Sequence, residues 1–142
     1  FNYIKDNYDA TSSANIAKYY LAIDYIEKNM MDDALILLND LSYSLDDEIL
    51  KSSVLNSIGN IYFNDGDLNN ALKNYLNASK TTNFKSFSDE YLLNAAKIYK
   101  LMNKNNESLK IVEKIIDNDE TKYNIKNAAQ ELAGELRYKI TH

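Results

Sequence analysis

Cysteine and proline are both absent from this chain of 142 residues, and glycine occurs only three times. Without cysteine the chain can form neither disulfides nor thiolate metal sites, so its composition is compatible with a reducing or an oxidising compartment. Proline and glycine are the residues that most strongly disfavour a helix interior. Their scarcity, in a chain that is 45% hydrophobic and 26% charged, predicts a single helical globular domain.

The sequence also lacks long apolar segments. No run approaches the roughly 20 apolar residues that a membrane-spanning helix needs, and no segment has the basic start and apolar centre of a signal peptide. The chain begins with Phe1 instead of methionine. This start is compatible with a domain cut from a longer protein, in which a membrane anchor would precede Phe1.

Positive charge and histidine are both scarce. Lysine and arginine together number 16 against 21 acidic residues, a net charge of −5, so we do not expect nucleic acid as the partner. The single histidine is the terminal His142. The carboxylates fall at predicted turns and helix starts, where capping and the helix dipole account for them.

A short acidic segment around Gly66 superficially resembles a calcium loop. Leu72 stands where such a loop requires a bidentate glutamate, and the same residues suit a turn between two helices. Neither a nucleophile with a base nor a metal-ligand cluster is evident elsewhere. We therefore expect no catalytic residues, no metal and no cofactor, and the protein is not expected to be an enzyme.

What the sequence does contain is a period of 37 residues. One small residue recurs at Ala22, Gly59, Ala96 and Ala133. Three residues after each of these stand Tyr25, Tyr62, Tyr99 and Leu136, and a second small position is occupied by Ala34, Ala71 and Ser108. Two small positions in one period predict two antiparallel helices in close contact. Serine at the third contact predicts a looser third pair.

This period divides the single domain into helical hairpins. Residues 1–10 are predicted to end a preceding helix, and Ser12 or Ser13 is predicted to cap the next one. The hairpins are predicted at 12–42, 47–80 and 87–117, followed by a capping helix at 122–140. The turns inside the hairpins fall at Asn29, Gly66 and Asn103, which are residue types that tolerate a left-handed backbone.

In an array of stacked hairpins the first helix of each unit lines the concave side, so a binding surface is expected there. We call this expected peptide groove the first-helix surface, and it consists of Tyr19, Ile23, Ile26, Asn56, Asn60, Phe63, Leu93, Lys97, Lys100 and Arg137. It is apolar at its N-terminal end, rich in amides in the middle and basic at its C-terminal end. These properties suit a peptide with an acidic or carboxylate-bearing end. The alternative is that the segment from Phe1 to Tyr8, or missing upstream chain, covers the apolar end.

The spacing of small and aromatic residues resembles that of tetratricopeptide repeat proteins over essentially the whole chain. The residues that carry this resemblance are Gly59, Tyr62, Gly66, Ala71, Tyr75 and Ala78. The resemblance implies an all-α fold, a right-handed α-solenoid of about three helical hairpins with a half-repeat at the N-terminus and a capping helix at the C-terminus. It also implies a non-catalytic scaffold for protein–protein interaction.

Three short segments are similar to a narrower group, the bacterial, membrane-anchored, envelope-exposed tetratricopeptide proteins that include Sec translocon accessory factors and periplasmic chaperone networks. The segments are Asn15-Ile-Ala-Lys-Tyr-Tyr-Leu-Ala-Ile, Asp47-Glu-Ile-Leu and Ala128-Ala-Gln-Glu-Leu-Ala. The resemblance implies a protein tethered on the periplasmic side of the cell envelope. A cytoplasmic adaptor subunit and a regulatory module of a larger enzyme are the alternatives.

The expected partner is a protein or peptide, and membrane contact is expected only through an upstream anchor. Tyr19, Ile23 and Glu90 depart from the pattern of repeat proteins that grip chaperone C-termini, so that partner is not expected. The apolar start at Phe1 and Ile4 and the unpaired last helix also allow two chains to associate end to end.

Overall fold

The computed structural model describes the backbone of residues 2–142 and the side chains of residues 12–142. Over this range the chain forms seven helices and no strand: α1 (Asn2–Glu27), α2 (Met31–Ser44), α3 (Glu48–Asn64), α4 (Leu68–Thr81), α5 (Lys85–Leu101), α6 (Asn105–Ile116) and α7 (Tyr123–Thr141). Each helix packs against the next one along the chain, and α5 also packs against α7. The all-helical class is therefore confirmed. None of the helices between residues 2 and 142 combines the length and the apolarity needed to cross a bilayer.

Helix α1 differs most from the predicted boundaries. It continues from Asn2 to Glu27, whereas the sequence predicted an end near residue 10 and a new cap at Ser12 or Ser13. The intervening residues include neither proline nor glycine, so nothing there removes a backbone donor or adds backbone freedom. The predicted cover over the apolar end, from Phe1 to Tyr8, concerns side chains outside the described residues.

The three turns inside the hairpins share one backbone geometry. Asn29, Gly66 and Asn103 have φ angles of 61°, 82° and 60°. The residue after each donates its N–H to the carbonyl five residues earlier: Met30 to Tyr25 at 2.8 Å, Asp67 to Tyr62 at 2.9 Å and Lys104 to Tyr99 at 2.8 Å. A left-handed residue followed by such a bond defines the Schellman termination of a helix. The prediction that the first and third turns fall at Asn29 and Asn103, with a left-handed asparagine where glycine is more usual, is confirmed.

Carboxylates cap two of the helix starts. The Asp47 side chain accepts from the N–H of Leu50 at 2.9 Å, and the Asp67 side chain accepts from the N–H of Asn70 at 3.1 Å. Each bond satisfies a backbone donor that has no partner within its own helix. The acidic residues at these two positions therefore have a structural role.

The small residues of the 37-residue period lie at contacts between helices, within the three hairpins and, for Ala133, where α7 packs on the third hairpin. Ala22, Gly59, Ala96 and Ala133 are all buried, as are Ala34, Ala71 and Ser108. At Gly59 a Cβ atom would lie 2.7 and 2.8 Å from two ring carbons of Tyr75, and 3.3 Å from the carbonyl oxygen of Ala71. Carbon atoms in contact normally stay about 3.5–4.0 Å apart. Only glycine permits α3 to approach α4 this closely.

Serine at the third contact forms a hydrogen bond across the hairpin. The Ser108 hydroxyl on α6 donates to the carbonyl oxygen of Ala96 on α5 at 2.7 Å, and Ser108 is 0% exposed. Burying a hydroxyl is unfavourable only when it lacks a partner. Ser108 is as buried as Ala34 and Ala71, so the serine is accommodated at this contact, and the looser third hairpin stays a prediction.

The apolar core extends between hairpins as well as within them. One cluster joins α1, α2 and α3, a second joins α4 and α5, and a third joins α5, α6 and α7. Tyr62 packs against the first two clusters, and Ile111 packs against the last two. The connection at 117–122 is held by Thr121, whose hydroxyl donates to the buried Asp89 carboxylate at 2.8 Å. The hairpins thus stack through one continuous apolar interior.

We expect Gly59→Ala to lower the free energy of unfolding by about 1–3 kcal/mol, because the added methyl group overlaps the buried Tyr75 ring. Gly134→Ala is the matched control, since Gly134 is also helical and no atom lies within 4 Å of a Cβ built there. Helix propensity alone should make that variant more stable by up to about 1 kcal/mol. Urea denaturation measures both changes, and shifts of the same sign would contradict the close contact at Gly59.

Candidate functional site

Side chains join neighbouring first helices across the first-helix surface. Three pairs bridge them: Asn94 Nδ2 donates to Asn56 Oδ1 at 3.0 Å, Ser53 Oγ lies 3.4 Å from Tyr91 Oη, and the Lys100 ammonium donates to the Glu135 carboxylate. The first two pairs connect α3 to α5, and the third connects α5 to α7. These three helices therefore present one continuous surface.

The predicted apolar residues on α1 are partly used by the core. Tyr19 and Ile26 pack against the cluster that joins α1, α2 and α3, and Ile23 is half-buried. The more accessible apolar side chains nearby are Ile16, 45% exposed, and Tyr20, 67% exposed. Tyr20 was not among the predicted site residues. The first-helix surface is therefore apolar at this end, but the apolar area that a ligand can reach belongs mainly to Ile16 and Tyr20.

A cleft of about 400 Å³ opens between α1 and α3 at this apolar end. Its lining, which defines the α1–α3 cleft, consists of Ile16, Tyr19, Tyr20, Asp47, Ile49, Leu50 and Ser53. Most of these side chains are apolar or aromatic, and Ile49 is 37% exposed. Such a lining accommodates an apolar side chain of a ligand.

The two predicted amides make internal hydrogen bonds. Asn56 is half-buried and accepts from Asn94, while Asn60 Oδ1 accepts a 2.5 Å hydrogen bond from the Tyr75 hydroxyl. Asn60 nevertheless lies at the surface, and the neighbouring Phe63 is 41% exposed. Asn60 and Phe63 therefore remain accessible to a ligand, whereas Asn56 mainly connects α3 to α5.

At the basic end the structure separates the predicted residues into paired, buried and accessible ones. Leu93 is only 6% exposed and belongs to the core of the third hairpin, so a ligand cannot contact most of its side chain. Lys100 forms an ion pair with Glu135, and Arg137 lies 3.4 Å from Glu113. Lys97 is exposed, and it forms no ion pair with any side chain of residues 12–142.

Two groups in contact with residues of the first-helix surface have perturbed pKa values, Glu135 beside Lys100 and Tyr75 beside Asn60. The hydrogen bond and charge of Lys100 hold the pKa of the Glu135 carboxyl below its usual value. Burial raises the pKa of the Tyr75 hydroxyl to about 12, because the charged phenolate would lose its hydration inside the hairpin. Tyr75 thus remains neutral and donates to Asn60 over the physiological pH range.

A second cleft was missed by the sequence analysis, which followed only the first helices. The cleft of about 490 Å³ lies between α2 and α4 above α3, and we call it the α2–α4 cleft. The signal for it is present in α4, where Asn70, Asn74 and Asn77 recur at helical spacing with Lys73 and Lys80 beside them. Such a polar stripe is easily interpreted as an ordinary solvent-facing helix side.

No protein-family model matches the sequence, and no curated protein has significant similarity to it. Among the described side chains there is also no group of three or more histidine, aspartate or glutamate residues that could hold a metal ion.

The raised pKa of Tyr75 predicts how stability changes at high pH. The unfolded chain loses this proton near pH 10, while the folded chain keeps it up to about 12. The contribution of the neutral Tyr75 hydroxyl to stability is thus fully present below pH 10 and falls by about 1.4 kcal/mol per pH unit as pH rises from 10 to about 12. In urea denaturation, the free energy of unfolding of the wild-type protein should therefore fall more steeply above pH 10 than that of the Tyr75→Phe variant. All other ionisable groups are the same in the two proteins, so parallel pH curves would contradict the assignment.

Proposed function

We propose that this protein is a non-catalytic scaffold for protein–protein interaction, built as a right-handed α-solenoid of the tetratricopeptide type. Its ligand is a peptide or protein segment that lies along the first-helix surface. The resemblance in the 56–78 segment supports the class of repeat, and the surface chemistry supports the kind of ligand.

The observation that carries this proposal is the recurrence of one turn and one close contact every 37 residues. Asn29, Gly66 and Asn103 take the same left-handed conformation, and the small residues of each period are buried. Equivalent hairpins that stack with one repeated geometry give a row of equivalent first helices. A row of this kind offers an extended chain several similar contacts in succession.

The ligand expected from this surface is apolar at one end and acidic at the other. Ile16, Tyr20 and Ile49 supply exposed apolar area at the α1–α3 cleft, where an aromatic or aliphatic side chain of the ligand can be desolvated. Asn60 and Phe63, also on α3, are the next accessible residues of the first-helix surface. Lys97 remains to pair with a carboxylate, since Lys100 and Arg137 are already paired.

The cellular location proposed for this scaffold is the one that its resemblance to envelope-exposed tetratricopeptide proteins implies. An envelope-associated assembly, with the protein as an accessory factor of a translocon or chaperone network, is the favoured setting. A cytoplasmic adaptor subunit or a regulatory module of a larger enzyme is the alternative. In the envelope setting, the gene upstream of Phe1 encodes an apolar run of about 20 residues.

Peptide selection on the purified protein tests the proposal. Displayed peptides that bind the immobilised chain should contain an apolar or aromatic anchor followed by acidic residues. A selected peptide should shift the amide NMR signals of Ile16, Tyr20, Ile49 and Phe63 in a labelled sample. Failure to enrich any peptide, or shifts confined to α2 and α4, would contradict binding at the first-helix surface.

Ile16→Asp and Ile36→Asp form a matched pair for the same measurement. Both isoleucines are exposed, at 45% and 69%, but Ile36 lies on α2 and outside the α1–α3 cleft. Because burying an isoleucine contributes about 1.5–3 kcal/mol, Ile16→Asp should weaken peptide binding by about tenfold or more. Ile36→Asp should leave the affinity within about twofold, and equal losses would argue against the cleft.

A further inference from the structure

Positive charge is concentrated in the α2–α4 cleft. Lys51, Lys73 and Lys80 line it and no aspartate or glutamate does, although the whole chain has a net charge of −5. None of the three lysines makes an ion pair with a side chain in residues 12–142. The tight turn at 65–67 makes α3 and α4 antiparallel, so Lys51 near the start of α3 and Lys80 near the end of α4 lie at the same end. The cleft therefore has a positively charged end.

The walls of the cleft also carry amides that match a peptide backbone. Asn74 donates to the Asn70 backbone carbonyl at 2.9 Å and keeps its own Oδ1 as an acceptor. The side chains of Asn39 and Asn77 form no hydrogen bond to another side chain or backbone group among the described residues. Each asparagine amide can both donate and accept. Such groups can bind the N–H and C=O of an extended segment.

The floor of the cleft is apolar. Leu55, Ile58 and Tyr62 come from α3 at the spacing of one helix face, and Tyr43 stands at the rim with 89% of its surface exposed. An extended chain directs successive side chains to opposite sides. Apolar side chains of a ligand can therefore contact the floor and Tyr43 while the intervening side chains reach the lysines.

We propose that the α2–α4 cleft binds an extended acidic segment of a partner protein, in which apolar residues alternate with aspartate or glutamate. The lysines supply charge complementarity, the amides hydrogen-bond the backbone, and the floor buries the alternate side chains. Nucleic acid fits less well, since three lysines neutralise few phosphates and the net charge of the chain repels a polyanion. This site consists of second-helix residues over α3, so it does not depend on the proposed role of the first-helix surface.

Fluorescence anisotropy with a labelled Glu-Leu-Glu-Leu-Glu-Leu peptide tests the proposal on the full 142-residue chain. The wild-type protein should bind this peptide, more weakly at high salt, and should bind a Gln-Leu-Gln-Leu-Gln-Leu peptide at least several-fold more weakly. The double variant Lys73→Glu with Lys80→Glu should lose about tenfold or more in affinity. Both lysines are exposed, so circular dichroism should show an unchanged fold.

Lys110→Glu with Lys114→Glu is the matched control, because it changes the net charge equally at two exposed lysines of α6. It should leave the affinity within about twofold. Absence of wild-type binding, or equal losses in the two double variants, would overturn the proposal. Preferential binding of a uridine oligonucleotide through Lys73 and Lys80 would overturn it in favour of nucleic acid. Self-association that only the Lys73→Glu with Lys80→Glu variant abolishes would replace the partner with a second copy of this chain.

Discussion

The close approach of two helices at a residue without a side chain is the constraint on which the rest of this structure depends. At Gly59 the ring of Tyr75 occupies the space that a Cβ atom would need. This contact buries the Tyr75 ring, raises the pKa of its hydroxyl and directs that hydroxyl toward Asn60. The neighbouring hairpins also bury small residues at this contact, alanine in both helices of the first hairpin and alanine with Ser108 in the third, where the Ser108 hydrogen bond crosses the hairpin. Small residues thus set the distance between paired helices throughout the described chain.

The helix terminations keep these contacts in register along the array. A left-handed residue and one backbone bond end the first helix of each hairpin at the same distance from its small residue, as at Asn29 after Ala22 and Asn103 after Ala96. Both clefts lie between helices that are equivalent in successive hairpins. The α1–α3 cleft is lined by two first helices, and the α2–α4 cleft is lined by two second helices with α3 between them.

The all-helical class, the hairpin turns and the small contacts could be predicted because they depend on residues close in sequence and on a single period. It could not be predicted which surface side chains are free to contact a ligand. Asn56 pairs with Asn94 and Lys100 with Glu135 across neighbouring units, and these pairings do not follow the 37-residue period. Leu93 was assigned to the surface because a helical pattern alone does not reveal that α6 and α7 cover it. The α2–α4 cleft was overlooked since two second helices, distant in sequence, create it together.

One NMR measurement tests the central claim most directly. If α3 and α4 approach as closely as described, the Gly59 Hα protons should give strong nuclear Overhauser cross-peaks to the Tyr75 ring protons. At least one of those Hα signals should also be shifted by the ring current of Tyr75. Observation of the sequential cross-peaks of Gly59 without any cross-peak to the Tyr75 ring would contradict the close contact, and with it the account of how the repeated hairpins are built.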